Sequence, residues 1–317
     1  MVAEAMLGPF TKANPRLKVN VSVAAGSDEI RTKLIAGFDA DVVEVCTRDT
    51  TLLVDANQLL PLDTKRLTHW KTLSLQFRTK VAGVRANNRL YMVPSHATTA
   101  PLIYNPQEVP FALNSYKQLF EDPRLKGKVT IRGLPHYIVG LAALALGYKT
   151  PYNNFKAADL AKVRAYYREH RSQFRTFYTG DADWLNLYRS GEIAASQGFP
   201  DFTQRMKDEN IPVRQVNAKE GTMVVVCGLG IAKDAKNIAG AYRLLNWFSS
   251  PYAGVLQVRT YNRPLVANTK SKGLLSQAII ARAGGLDQKL LDNAIVQITP
   301  PNYNEWVDTW NQIRAGG

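Results

Sequence analysis

Stretches of helix period alternate with short β-branched runs along the whole of this chain, and that alternation leaves few architectures open. Val2, Ala5, Met6 and Phe10 share one face of a helix that Asn14-Pro15 stops. Val19, Val21 and Val23 then alternate with polar residues, which predicts a strand. Ser27 caps a helix carrying Ile30, Leu34 and Ile35, closed by Gly37. Residues 41–45 form a compact run suited to a buried parallel strand, and a third helix pattern over 52–59 ends before Pro61. Strands alternating with helices predict an α/β layered lobe with a largely parallel sheet.

The middle of the chain repeats the style. Strands are predicted over 89–93, 101–104, 129–132, 193–196 and 223–226. Helices are predicted over 116–120, from the end of the 129–132 strand through Leu146, and over 155–167, 184–190, 239–248, 275–280 and 303–313. The chain has 317 residues, enough for two lobes of ordinary size, yet it carries no internal repeat and no low-complexity linker. A second lobe must therefore be made by the chain crossing over and back.

Charge and cysteine usage bound the function classes. Forty Lys and Arg against 26 Asp and Glu leave a formal net charge of +14. The basic residues are scattered, with no zinc-finger spacing and no RNA-binding sheet signature, so they read first as a solvated surface. The sharper reading is a pocket suited to a negative group. Cys46 and Cys227 belong to no CxxC pair, and one bridge or two free thiols both stay open. No leader is visible, and the longest apolar stretch, 137–148, is too short to span a bilayer.

No enzyme constellation stands out. His69, His96, His136 and His170 form neither HExxH nor an i, i+4 metal pair. Ser95 and His96 are adjacent, but neighbouring side chains on a strand point apart, and there is no GxSxG elbow. Asp181 and Asp183 in GDADW read as an acidic turn capping the Trp184 helix. Tyr166-Tyr167 falls mid-helix, where one ring belongs to a core. Neither metal nor cofactor is expected.

Several segments carry a family likeness through their order and spacing: FTKANPRLKVNV (10–21), IRTKLIAGFDADVVEVC (30–46), NRLYMVPSHATTAPLIYN (88–105), PRLKGKVTIRG (123–133), YRSGEIAASQGFPDF (188–202), NAKEGTMVVVCGLGIAKDAKN (217–237) and AYRLLNWFSSP (241–251). Together they resemble the periplasmic spermidine/putrescine-binding protein family, within the type II solute-binding proteins of ABC importers. The resemblance implies an α/β, two-lobed fold with crossing hinge strands and an interlobe ligand cleft. It places residues 1–103 plus 226–267 in lobe one and 104–225 plus 268–317 in lobe two. It implies a periplasmic monomer that hands a small ligand to ABC permease subunits, with no nucleic-acid partner. A cytoplasmic ligand sensor or nucleic-acid-associated protein on the same fold is the alternative. Family members begin with a strand and an aromatic-rich turn before the first helix, whereas here Met1 lies almost at the helix, so a truncated or late-assigned start is expected.

The resemblance also implies ligand contacts at Thr47, Arg48, Asp49, Ser95, Thr98, Arg132, Tyr137, Phe199, Asp201, Cys227 and Arg263. Polyamine binders set carboxylates and aromatic rings against the ligand, because a desolvated dication needs opposite charge and π faces. Here Arg48 stands in place of an aromatic residue, and Arg132 where an acidic pair is usual. Phe199 stands for a stacking Trp, Cys227 for an aspartate, and Arg263 for a tyrosine. His136, at a helix start, reads first as an exposed surface residue, with a ligand contact as the alternative. Asp201 is the nearby acid left to serve a cation. Cys46 and Cys227 both map to cleft positions, where a bridge would lock that region. Arginines gained and acids lost point to a carboxylate or phosphonate ligand, such as an opine.

Overall fold

The computed structural model describes residues 2–24, 27–148, 154–263, 265–283, 291 and 294–316. The chain divides into two compact units. The first comprises Met1–Thr98, Val224–Asp292 and Val296–Thr299, and the second Thr99–Met223, Asn293–Ile295 and Pro300–Gly317.

The first unit opens with α1 (Val2–Ala13), which buries Met6 and Phe10, and α2 (Ser27–Ile35). Between them the expected strand is not formed. Val21 is 51% and Val23 80% exposed, and no described residue pairs with 19–23. Alternation marks a face that a sheet can bury, but a strand also needs a hydrogen-bonding neighbour. Next come β1 (Val42–Cys46), α3 (Thr50–Asp55) and β2 (Leu59–Leu60). The third helix stops short of its predicted end because Asn57 turns left-handed, with φ 54°, and redirects the chain into β2. Asn87 and Asn88, at φ 48° and 61°, make the tight turn between β3 (Arg85–Ala86) and β4 (Arg89–Leu90). The buried β5 (Val93–Thr99) leads out of the unit.

The second unit contains β6 (Leu102–Tyr104), α4 (Tyr116–Glu121), β7 (Val129–Arg132), α5 (Pro135–Ala145) and α6 (Ala157–Glu169). It continues through β8 (Phe174–Tyr178), α7 (Asp181–Arg189), β9 (Ala195–Gln197), α8 (Pro200–Asp208) and β10 (Arg214–Val216). The sheet order is β10-β6-β9-β7-β8, with β7 parallel to both its neighbours and β6 antiparallel to both of its own. α5 is buried along its entire length, as its uninterrupted apolar sequence requires. Helix α8 was hidden from periodicity by its polar sequence. Pro200 at its first position sets the helical φ without costing a hydrogen bond.

β11 (Met223–Ala232) carries the chain back into the first unit. There follow α9 (Ile238–Phe248), α10 (Pro251–Tyr261), β12 (Leu265–Val266), α11 (Gln277–Arg282) and β13 (Ile295–Val296). α12 (Tyr303–Arg314) belongs to the second unit and packs on α5 and α6. α9 ends at Phe248 as predicted, and Pro251 then opens α10, with Ser250 accepting a hydrogen bond from the Ala253 N–H.

The first unit's sheet runs β1-β11-β5-β12. β11 is antiparallel to β1 and β2, and β12 to β5, so the expected largely parallel sheet is corrected to a largely antiparallel one. The reason is the returning strand, which enters this sheet against β1 instead of through a helical crossover. The backbone of β5 lies so close to β11 that a Cβ on Gly228 would stand 1.9 Å from the Val93 carbonyl oxygen. The described residues 268–283 group with the first unit and not, as expected, with the second. Asn268 anchors them, its Nδ2 donating to Thr72 Oγ1 and to the Ser249 carbonyl, both at 2.8 Å.

Candidate functional site

In the first unit, polar side chains gather where β1, β11 and β5 lie side by side. β1 ends at Cys46, and the loop 47–49 leads into α3. Thr47 is fully buried; its N–H donates to the Val226 carbonyl at 2.8 Å, and its Oγ1 accepts from the Val226 N–H at 3.4 Å. The Arg48 and Asp49 side chains lie 3.6 Å apart, and the Arg48 carbonyl accepts from Thr299 Oγ1. Cys46 and Cys227 form a disulfide, which closes the alternative that the sequence left open.

On β5, Ser95 Oγ lies 3.0 Å from His96 Nδ1. The adjacent side chains therefore meet, against the expectation from strand alternation, because the short serine hydroxyl hugs the backbone and the imidazole turns back to it. Ser95 Oγ donates to the Cys227 carbonyl at 3.2 Å, so it accepts from His96, whose neutral ring then carries its proton on Nδ1. Burial, reinforced by the Arg263 charge, holds the His96 pKa well below the ordinary histidine value.

Arg263 follows the left-handed Asn262 that closes α10. Its Nη1 donates to Thr98 Oγ1 at 2.6 Å, while its Nε–H is buried and unpartnered among the described residues. The exposed Glu44 stands within electrostatic reach of both Arg263 and Arg48, so this unit's polar patch holds both signs of charge.

Gln297 was missed by the sequence reading. It is fully buried, its N–H donates to the Val224 carbonyl at 2.8 Å, and neither its Oε1 nor its Nε2 has a partner among the described residues. The available signal was a single amide inside the apolar run Ile295, Val296, Ile298.

In the second unit, Arg132 ends β7 just before α5. Its guanidinium lies 5.3 Å from the Phe199 ring and 5.8 Å from that of Tyr178, and its Nη1 bonds Asp181 at 3.2 Å. Its Nε–H is buried without a partner among the described residues. Gln197 Oε1 accepts from the Arg132 N–H at 3.3 Å and from the Tyr178 hydroxyl at 3.4 Å, so this strand-end amide fixes both.

Phe199 is half-buried and caps the second-unit core, edge-on to Tyr137 at 5.8 Å and to Phe202 at 5.3 Å. Tyr137 is almost wholly buried. Asp201 pairs with Arg205 across one helical turn at 3.9 Å, which reduces its availability to a cation. His136 is corrected: it is buried, at 4% exposure, with its ring 5.0 Å from Tyr303. The C-terminal helix α12, distant in sequence, covers it.

The structure thus brings Thr47, Arg48, Asp49, Ser95, Thr98, Cys227 and Arg263 into the first unit, and Arg132, Tyr137, Phe199 and Asp201 into the second. Among the described residues, no three His, Cys, Asp or Glu side chains gather as a metal site, and no helix is long and apolar enough to cross a membrane.

Comparison with known proteins agrees with the fold. The family described as bacterial extracellular solute-binding protein matches residues 1–254. The Iron uptake protein A1 of Synechocystis is 29% identical over 175 residues, 52% of this chain; the match spans about half, 48%, of that relative's length. The putrescine-binding periplasmic protein SpuD of Pseudomonas aeruginosa is 24% identical over 79% of this chain and 71% of its own. The binding protein MotA of A. tumefaciens, solved in complex with glucopine, superposes with a TM-score of 0.78 at 17% identity, covering 98% of this chain and 95% of that one.

Proposed function

The chain belongs to the bacterial extracellular solute-binding proteins, and from that premise we propose that it captures a small anionic solute, an opine, phosphonate or related carboxylate, for an ABC importer. One observation carries this reading. Each unit holds an arginine, Arg132 or Arg263, with a buried Nε–H that no described residue accepts. A buried guanidinium donor left unpaired is costly, and a carboxylate or phosphonate oxygen is the partner that satisfies it best.

The acids that would serve a polyamine are weakened. Asp201 pairs with Arg205, and Cys227 is committed to a disulfide. Polyamine binding remains the second reading, favoured by the likeness to a putrescine-binding protein and by Asp49 and Glu44 in the first unit.

The protein acts by binding and release, as a monomer without nucleic acid, and hands its solute to permease subunits. A periplasmic location is supported by the family and by the disulfide, since such bonds persist in oxidising compartments. The same bond weighs against a cytoplasmic sensor.

A thermal-shift comparison of glucopine with putrescine tests the reading. A solute at a hundred times its dissociation constant adds about 2.7 kcal/mol of stability. Stabilisation by glucopine that Arg132→Ala removes supports the anionic reading; stabilisation by putrescine alone replaces it with the second.

A further inference from the structure

We propose that the Cys46–Cys227 disulfide is a positioning element of the solute site, so that its reduction weakens solute capture while both units stay folded. The inference rests on the solute-binding reading above. Its grounds are the hydrogen bonds around the bridge.

The half-cystines are directly opposed in the β1–β11 register, with Cα atoms 4.1 Å apart. Each offers its carbonyl to the residues that the site uses. The Cys46 carbonyl accepts from the Asp49 N–H at 2.8 Å and from Thr50 Oγ1 at 3.2 Å, which shapes the loop carrying Arg48. The Cys227 carbonyl accepts from Ser95 Oγ, which in turn holds His96. The bridge therefore ties together the end of β1, the middle of β11 and the polar face of β5.

The bridge is not part of the main core. The sulfur residues keep 8% and 7% exposure and share their small apolar cluster with Val225. β1 and β11 also pair over four further residue positions, from Val42 opposite Ile231 to Val45 opposite Gly228. That ladder holds the strands together without the bridge. What the bridge adds is the fixed position of the strand end and of the loop beyond it.

Reduction is a two-electron exchange. A dithiol reductant attacks one sulfur, the S–S bond breaks, two cysteine thiols form, and the reductant leaves as its own cyclic disulfide. The chain has two cysteines, so no other bridge competes.

The test compares oxidised protein with protein reduced by dithiothreitol, and with the Cys46→Ala/Cys227→Val variant, which keeps apolar contact with Val225. Amide hydrogen exchange needs no ligand. The Asp49 and Thr47 amides should exchange at least about ten-fold faster without the bridge, while those of Val43 and Ile231 keep their protection. Calorimetry with glucopine, and with putrescine as the cationic probe, should show at least about a ten-fold weaker affinity for whichever probe the oxidised protein binds, restored on reoxidation. Unchanged exchange overturns the proposal, and so does protection lost evenly along β1, β11 and β5, which marks a plain structural staple. If the oxidised protein binds neither probe, the solute class proposed above fails, and the exchange pattern still decides the role of the bridge.

Discussion

Arg263 Nη1 donates a 2.6 Å hydrogen bond to Thr98 Oγ1, and this contact fixes the guanidinium while leaving its buried Nε–H without an acceptor among the described residues. A held but unsatisfied donor is pre-organised, because little side-chain freedom remains to be lost when an oxygen arrives. Arg263→Lys keeps the charge and loses the directed N–H, so the affinity for an anionic solute should fall about ten-fold, or about 1.4 kcal/mol. Arg263→Ala should cost about a hundred-fold. Calorimetric titration of glucopine checks both. Equal affinities in the Lys variant and the parent would remove the directed donor from the argument.

Gln297 leads to a prediction in which stability and binding move in opposite directions. Its buried amide has no partner among the described residues, and an unsatisfied buried polar group costs about 1–3 kcal/mol. Gln297→Leu conserves most of the volume and removes that cost. The solute-free variant should gain about 1 kcal/mol in urea denaturation, while its affinity for the solute drops at least ten-fold. A residue with no part in binding would gain the same stability and leave the affinity unchanged.

Much of this organisation was legible in the sequence, and the failures have identifiable causes. β7 spans the predicted residues because its short apolar run is bounded by glycines and charge. α9 and α12 were readable from apolar periodicity, and α5 from its apolar run. The second lobe made by a crossing chain followed from the absence of any linker. What failed depended on partners distant in sequence. Val19, Val21 and Val23 carry a strand pattern but lack a pairing neighbour among the described residues. The direction of β1 in its sheet was set by β11, which lies far along the chain. His136 looked exposed because α12 and Tyr303, which cover it, come more than a hundred and fifty residues later. The disulfide depends on register, which two isolated cysteines cannot reveal.

Gly228 is the tightest of the glycines on β11 against a neighbouring backbone. A Cβ there would stand 1.9 Å from the Val93 carbonyl oxygen and 2.7 Å from its carbonyl carbon, both backbone atoms that cannot rotate away. Gly228→Ala must push β5 and β11 apart beside Ser95 and Cys227. The expected cost is at least about 3 kcal/mol, with most of the protein lost to aggregation on expression. Gly221→Ala is the informative control. Its φ of 115° makes it strained as well, but its added Cβ would meet nothing within 4 Å, so the variant should be milder and remain soluble.

His96 makes stability depend on pH in a defined direction. Burial, with Arg263 adding to it, keeps the folded-state pKa well below the 6.5 of an ordinary histidine. Above that value the imidazole is neutral in both states and contributes no pH dependence. As the pH falls below it, the unfolded chain takes up a proton that the folded protein refuses, and stability is lost until the folded-state pKa is reached. The slope approaches about 1.4 kcal/mol per pH unit for one group. His69, also lowered by partial burial and by Lys270, acts in the same direction. Comparison with a variant that keeps His69 therefore isolates His96. His96→Asn preserves a donor toward Ser95 Oγ and cannot titrate. Urea denaturation at pH 7.5 and 5.5 should show the parent losing about 1 kcal/mol more than the variant between the two conditions. Equal losses would mean that His96 gains its proton in the folded protein as readily as in the unfolded chain. Neither the burial of the ring nor the Arg263 charge would then oppose its protonation.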